Sequence, residues 1–297
     1  MIRSFRRVEA PRLRARLSNA ALLHTKLRLH AVDNANVVNE DLLLQRGFAR
    51  AGRLGRRSMT ILLEGVARLT AFGEHHWLAP GDVIAVESRN AIQMRQAGAR
   101  YASLALEWEP GFFGDPKRPV ARSKIAARDL ARARAAWQSV RDGAGDGEAV
   151  VAAVVDLGYA AGVCERRPAV DLREEAPPRA AEITEALDVV LSRLADQPMM
   201  ADLGDRLGVS ARQLNRLVRE YNERYAFNAR GWIDTRNRRR LLFGATFMTA
   251  PGATAAYVAR VVGYRSPTAF ARALRRAGLP APSNVADEVA RIGASTR

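Results

Sequence analysis

The sequence contains one cysteine, Cys164, which excludes an internal disulfide and a cysteine-based zinc site and fits a reducing cytosol. Cys164 itself reads as a small buried apolar residue. Histidine is scarce as well, with four in the chain, and none follows His76. His75 and His76 are adjacent, so on a strand they would point to opposite faces and could not both enter one metal site. No metal and no cofactor is expected on this count. There is no run of about 18 apolar residues to span a membrane. The N-terminal MIRSFRRVEAPRLRARL lacks the apolar core of a secretory signal. It is Arg-rich and almost free of acid, as organellar transit peptides are, and reads as a mobile basic arm. Lysine is limited to Lys26, Lys117 and Lys124, so the positive charge is almost wholly arginine.

At 297 residues, with 48% hydrophobic and 26% charged residues, the chain has the composition of a soluble globular protein of two domains. A net charge of +16 points to a polyanionic partner. Nucleic acid comes ahead of a membrane surface, because no amphipathic anchor or lipidation signal accompanies the charge. A GC-rich coding bias would raise arginine everywhere, so its distribution matters more than its sum. From Pro198 to Val285 there are fifteen arginines against five acids, which places +10 of the +16 in under a third of the chain.

Residues 1 to 57 carry weak signals, with an apolar stretch Ala20 to Leu29 that is helix or strand and a loop-like Arg and Gly cluster from Arg46 to Arg57. From Met59, short runs rich in Ile, Val, Leu and Thr are punctuated by Glu64-Gly65, Phe72-Gly73 and Pro80-Gly81-Asp82, and Tyr101 to Trp108 alternates as a further strand. This spacing resembles the cupin-like β-barrel, which without a metal would hold a small molecule or a partner surface. Arg122 to Val140 and Glu148 to Cys164 read as two helices with apolar stripes, separated by the loop DGAGDG, and form a connector that would cover the barrel or dimerise. ERRPAVDLREEAPP, residues 165–178, reads as an interdomain linker. The expected architecture is α+β: a cupin-like antiparallel β-barrel sensor over 1–118, a helical connector over 119–164, the linker, and an all-α domain with two helix-turn-helix units over 179–297.

Residues 199 to 221, MMADLGDRLGVSARQLNRLVREY, predict two short helices around a turn at Gly208, with Ser210 capping the second. Leu214, Leu217, Val218 and Tyr221 form its inner face. Arg212, Gln213, Asn215, Arg216 and Arg219 form its outer one, which suits base edges and phosphates in a major groove. An ordinary αα-hairpin with a solvated basic face is the plainer alternative. The pattern returns after a basic segment, Arg230 to Met248. Ala255 to Val262 is apolar, Gly263-Tyr264 turns, and Ser266-Pro267 opens a helix with Phe270, Ala273 and Leu274 inward and Thr268, Ala269, Arg272, Arg275 and Arg276 outward.

On LGDRLGVSARQLNRLVRE and VARVVGYRSPTAFARALRR, roughly residues 180 to 285, the chain resembles the AraC/XylS family of bacterial transcription regulators. The resemblance implies two helix-turn-helix units joined by one long helix, with a cupin-like sensor domain before them. It implies base contacts from Arg212, Asn215 and Arg216 in the first unit and from Thr268, Ala269 and Arg272 in the second, with Gln213, Arg219 and Arg275 nearer the phosphates. It also implies double-stranded DNA as partner, a small-molecule effector, a homodimer, RNA polymerase as a further partner, and a cytoplasmic, non-enzymatic protein. The bridging segment departs from the family pattern: it carries extra residues in YNERYAFNARGW, Arg238 near an expected Leu, and Gly244 inside the helix. A cupin-type enzyme and an interaction protein without operator binding are the rival readings.

Overall fold

The computed structural model describes residues 1–40, 57–71, 74–87, 93–111, 118–164, 172, 176–225, 227 and 229–294. Most of the expected linker, the Phe72-Gly73 turn and the Arg46 to Arg57 cluster up to residue 56 lie outside them.

The first 35 residues are sheet. In β1 (Ile2–Ala10), Ile2, Ser4, Arg6, Val8 and Ala10 are buried while Phe5, Arg7 and Glu9 are exposed, the period-two pattern of a strand with one face inward. β2 (Ala15–Leu23) and β3 (Leu27–Ala35) follow as antiparallel neighbours. The expected mobile arm is therefore an ordered edge strand. Its arginines obscure the alternation, because Arg6 faces inward against an acid instead of outward to solvent.

Short β4 (Asn39–Glu40) and β6 (Glu74–Leu78) flank two long strands, β5 (Arg57–Ala71) and β8 (Gln93–Trp108). The set is completed by β7 (Asp82–Glu87) and β9 (Val120–Lys124). Glu64-Gly65, expected to separate two strands, instead marks bulges within β5, with register shifts between Leu62 and Glu64 and between Glu64 and Val66 and a left-handed Gly65 (φ +85°). The Pro80-Gly81-Asp82 turn forms as expected, with the Asp82 carboxylate accepting from the Ala79 amide at 2.8 Å.

The strands do not close into a barrel. Their order is β1-β2-β3-β8-β5-β7-β9, all antiparallel, with β4 added to β8 and β6 to β5, and among the described residues no pairing joins β9 back to β1. The cupin-like barrel expectation is corrected to an open antiparallel sheet. The physical reason lies at the two ends. β9 leads directly into a helix that folds over the sheet, and the outer edge of β1 is occupied by another helix.

That first helix, α1 (Ala127–Asp142), pairs with α2 (Gly147–Ala160). Their apolar stripes, Ala133, Ala136 and Val140 on α1 and Val151, Val154 and Leu157 on α2, are buried in one core with Leu22, Leu29, Ile61, Val83 and Leu104 of the sheet. The stripes are buried against the sheet. Cys164 packs at the rim of this core as a half-buried free thiol, and burial pushes it up to about 11.

The remaining helices are α3 (Ala180–Ser192), α4 (Met200–Leu207), α5 (Ala211–Arg224), α6 (Trp232–Phe247), α7 (Ala255–Val261), α8 (Pro267–Arg276) and α9 (Val285–Ala294). They share a continuous core with β1 and β2, in which Ile2, Val8 and Leu17 join Leu187, Leu191, Leu203, Phe247 and Phe270. The sheet and the helices are thus packed together. Further ties are the Val38 amide on Thr249 Oγ1 (2.7 Å), Arg95 on the Val289 carbonyl (2.7 Å) and the Arg12 amide on the Tyr257 hydroxyl (3.1 Å).

The edge of β1 is closed by α3. Amides two residues apart on a strand point to the same side, and on β1 those of Phe5 and Arg7 face outward. Phe5 donates to Asp188 Oδ2 at 2.6 Å and Arg7 to Ser192 Oγ at 3.4 Å. Asp188 Oδ1 also accepts from Ser4 Oγ at 3.0 Å and pairs with Arg6 Nε at 2.5 Å, with both charged side chains buried. A sheet edge that offers amides to a helix in this way is closed to a further strand. Removing one member of a buried ion pair costs about 3–5 kcal/mol, because the other charge is left without a partner. Asp188→Ala is expected to lose stability in that range in urea unfolding, and Asp188→Asn, which keeps an acceptor, to lose less; a loss below about 1 kcal/mol for Asp188→Ala would show that α3 is held by its apolar face alone.

Candidate nucleic-acid interface

The first unit forms where the sequence places it. α4 buries Leu203 and Leu207 and ends at left-handed Gly208 (φ +61°). Ser210 then caps α5, its Oγ accepting from the Gln213 amide at 3.4 Å while Gln213 Oε1 accepts from the Ser210 amide at 3.0 Å. Leu214, Val218 and Tyr221 are buried, and Arg212, Gln213, Asn215, Arg216 and Arg219 are exposed on the outer face.

One of those five has an internal duty. Gln213 completes the capping box. Asn215 lies against the backbone that opens the bridging helix, so that a Cβ at Gly231 would fall 2.5 Å from its Oδ1. Arg216 Nε is 3.8 Å from Glu220 Oε1, a distance at which exposed partners hold each other only weakly.

The second unit repeats the plan. Thr254 Oγ1 accepts from the Tyr257 amide at 3.3 Å to start α7, and Ser266 Oγ accepts from the Ala269 amide at 3.1 Å to start α8, with Pro267 at the first helical position. Phe270 and Leu274 are buried, and Ala273 packs partly against the same core. Thr268, Arg272, Arg275 and Arg276 are exposed. Ala269 is half-buried beside a hollow of about 460 Å³ shared with Asn237, Tyr264, Arg272 and Arg276.

α6 packs against both α5 and α8, and its departures from the family pattern have local causes. Gly244 is where α8 crosses. A Cβ there would meet Phe270 at 2.6 and 2.9 Å, so the residue that weakens the helix by about 1 kcal/mol also admits the aromatic ring of α8. Arg238, near an expected Leu, is half-buried and pairs with Asp234 one turn back at 2.9 Å. The extra residues before α6 are packed aromatics. Tyr221 and Tyr225 are buried, and Phe227 stacks on Tyr221 at 5.8 Å between ring centres. Buried Asn222 joins α5 to α6 by donating to Thr235 Oγ1 (3.0 Å) and the Ala229 carbonyl (3.1 Å).

Under this layer lies a cluster of charge that sequence reasoning missed. The guanidinium groups of Arg6 and Arg28 sit 5.7 and 5.6 Å from the Phe227 ring centre, and Arg28 pairs with Glu107 at 2.7 Å. Arg239 stands over Phe243 at 5.9 Å, and burial, reinforced by Arg6, pulls it below the ordinary arginine range. The available signal was the alternation of β1, which sends Arg6 inward. Burial pushes the Tyr221 hydroxyl up to about 12, with Arg6 pulling it back, and it bonds to Thr184 at 3.0 Å.

Among the described residues no group of three His, Cys, Asp or Glu is placed to hold a metal, and no helix is long and apolar enough to cross a membrane. His75 is exposed beside Thr70 (3.0 Å), and His76 is half-buried on the other side of β6.

No protein-family model matches the chain, and no curated protein matches its sequence. Solved structures do align with it. ToxT from Vibrio cholerae gives a TM-score of 0.35 at 11% identity, covering 88% of this chain and 98% of that one. An unsaturated fatty acid bound ToxT from Vibrio cholerae strain SCE256 gives 0.34 at 12%, over 89% and 95%. The AraC-like transcriptional activator CuxR gives 0.34 at 15%, over 77% and 80%. Scores at this level leave the functional reading to the geometry of the helices themselves.

Two outcomes follow from the packing. Gly244→Ala gains helix propensity but overpacks the fully buried Phe270, a cost of about 1–3 kcal/mol, so its melting temperature is expected to fall and to recover in part when Phe270→Leu is added. A rise in melting temperature for Gly244→Ala alone would contradict the close crossing. For Tyr221, a folded-state value above the unfolded one means stability that is present below pH 10 and lost between about 10 and 12. The stability of wild type should therefore decline more steeply across that window than that of Tyr221→Phe, as read by denaturant titration at each pH.

Proposed function

We propose that this chain is a sequence-specific DNA-binding transcriptional regulator of the AraC/XylS type, with α5 and α8 as its reading helices. The observation that carries the reading is the repetition. Two units of like build, each a short helix, a left-handed glycine, a serine cap and a helix with an arginine-rich outer face, are packed on one central helix. Units joined in one chain suit successive major-groove segments about 34 Å apart.

In this reading Arg212, Asn215, Arg216, Thr268, Ala269 and Arg272 face base edges. Arginine suits guanine, Asn adenine, and Ala or Thr the thymine methyl. Gln213, Arg219 and Arg275 lie nearer the phosphates and set the register. The sheet is the sensing domain, and an effector would find room in the groove of about 780 Å³ between β1, the end of α1 and α3, with Arg3, Phe5, Arg141 and Glu185 in its walls. An effector acts only if it prefers one of two states of the protein that differ in DNA affinity. The domain limits 1–118, 119–164 and 179–297, a homodimer and contact with RNA polymerase belong to the same reading.

A second reading is favoured by one observation. The Gln213 side-chain oxygen is engaged in the capping box and Asn215 Oδ1 lies close against Gly231, which leaves the first unit fewer amide groups turned wholly outward. The chain would then bind DNA chiefly through charge, without base preference.

Affinity for the duplex upstream of its own gene, and for sites enriched from a random duplex pool, decides between them. Wild type is expected to prefer enriched sites at moderate salt, and Arg212→Ala and Arg272→Ala to lose about 1–3 kcal/mol each, with relaxed preference at one base position. Binding no tighter than to random duplex, with a steep salt dependence, would leave only the charge-driven reading.

A further inference from the structure

Both helix-turn-helix units touch one short segment, the 3-10 turn Leu194–Asp196 and the Gln197-Pro198 that follows it. The turn of the second unit lies against it so closely that a Cβ on Gly263, itself left-handed at φ +80°, would fall 1.9 Å from the Leu194 carbonyl oxygen. Arg265 Nε is 3.4 Å from Gln197 Oε1. From α6, Arg240 donates through Nε to the Val262 carbonyl at 2.9 Å and through Nη2 to the Gly263 carbonyl, with its guanidinium 3.9 Å from the centre of the Tyr264 ring. One turn earlier on the same face, Arg236 donates to the Pro198 carbonyl at 2.9 Å, at the start of the first unit. Arg236 and Arg240 thus grip the two units from a single helix face, four residues apart. Neither is among the exposed arginines of the reading helices.

We propose that Arg236 and Arg240 are positioning residues which, by clamping the Pro198 and Val262-Gly263 carbonyls to one face of α6, fix the angle between the two reading helices and so the spacing of the DNA blocks they read. This rests on the DNA-reading function proposed above. Two reading heads in one chain strengthen each other only when the tether holds both in register with the grooves, because the second contact is then made at high effective concentration. The close crossing at Gly244 seats α8 on α6 at one point, and a single point of contact does not by itself fix the angle between two helices. The clamps supply the constraint. They also differ chemically. Arg236 makes a single bond, which a lysine can replace, whereas Arg240 spans two carbonyls and stacks on a ring, which needs the planar fork of a guanidinium.

The test uses the full-length protein and a site enriched by wild type from a random duplex pool, together with the same duplex with one block scrambled and with base pairs inserted between the blocks. Arg236→Gln, Arg240→Gln and Arg240→Lys are expected to lose roughly tenfold or more on the two-block duplex, to bind the one-block duplex as wild type does, and to tolerate insertions better. Arg236→Lys is expected to restore wild-type behaviour. Equal losses on one-block and two-block duplexes would overturn the proposal, as would full rescue by lysine at both positions, the mark of a phosphate contact. If neither glutamine variant folds, as judged by its melting curve, the lysine pair decides on the same criteria. Failure of wild type to enrich any site removes the DNA-reading function itself, and the clamp's role falls with it; an enriched site with unchanged variants removes the clamp alone.

Discussion

For β1, the carboxylate of Asp188 stands in place of the strand that would otherwise complete the sheet edge. It takes the outward amide of Phe5, the hydroxyl of Ser4 and the guanidinium of Arg6, and all three come from the first six residues of the chain. A buried carboxylate is tolerable only with this degree of hydrogen bonding, and a buried arginine only with such a carboxylate. The pair therefore places α3 against β1 with a specificity that apolar packing alone does not give. Everything after α3 inherits that placement. The turn at its end is the segment that both helix-turn-helix units touch, and Thr184, one turn before Asp188, holds the hydroxyl of Tyr221 on α5.

The same contact accounts for the sheet's openness. A barrel closes when its first and last strands satisfy each other's edges. Here the first edge is taken by α3, and the last strand, β9, runs straight into α1, whose stripe covers the sheet face together with α2. Punctuation by glycine and proline reports where strands bend or end, but not which edges meet. Glu64-Gly65 illustrates the limit. In the sequence it has the form of a turn, yet the chain continues through it as a bulge, because β8 is long enough to pair on both sides of it.

The helical half was legible almost residue by residue. Caps at Ser210 and Ser266, the left-handed Gly208 and Gly263, and the inner faces Leu214, Val218 and Tyr221 or Phe270 and Leu274 all follow from local chemistry that needs no partner far along the chain. The N-terminal strands were not legible for the opposite reason. Arg6 and Arg28 look like solvent-facing charge until Asp188 and Glu107, many residues away, are brought to them. The candidate interface was legible in its outer arginines, but not in the division of labour that makes Gln213 a capping residue and turns Asn215 toward Gly231.

That division changes the meaning of the charge. Fifteen arginines between Pro198 and Val285 suggest a broad surface for phosphate, but Arg236, Arg238 and Arg240 are committed to carbonyls or to Asp234, and Arg239 is half-buried over Phe243. The bridging helix spends Arg236 and Arg240 on holding the two units, and the exposed arginines of this stretch are those on α5 and α8 together with Arg206, Arg230, Arg260 and Arg265. Arginine suits both tasks because its planar, five-donor head can bridge backbone carbonyls inside the protein as readily as it pairs with guanine or phosphate outside it. Net charge alone does not separate the two uses. Burial and the identity of the acceptor do, and by that measure α5 and α8 carry seven of the exposed arginines of this domain, Arg212, Arg216, Arg219, Arg224, Arg272, Arg275 and Arg276.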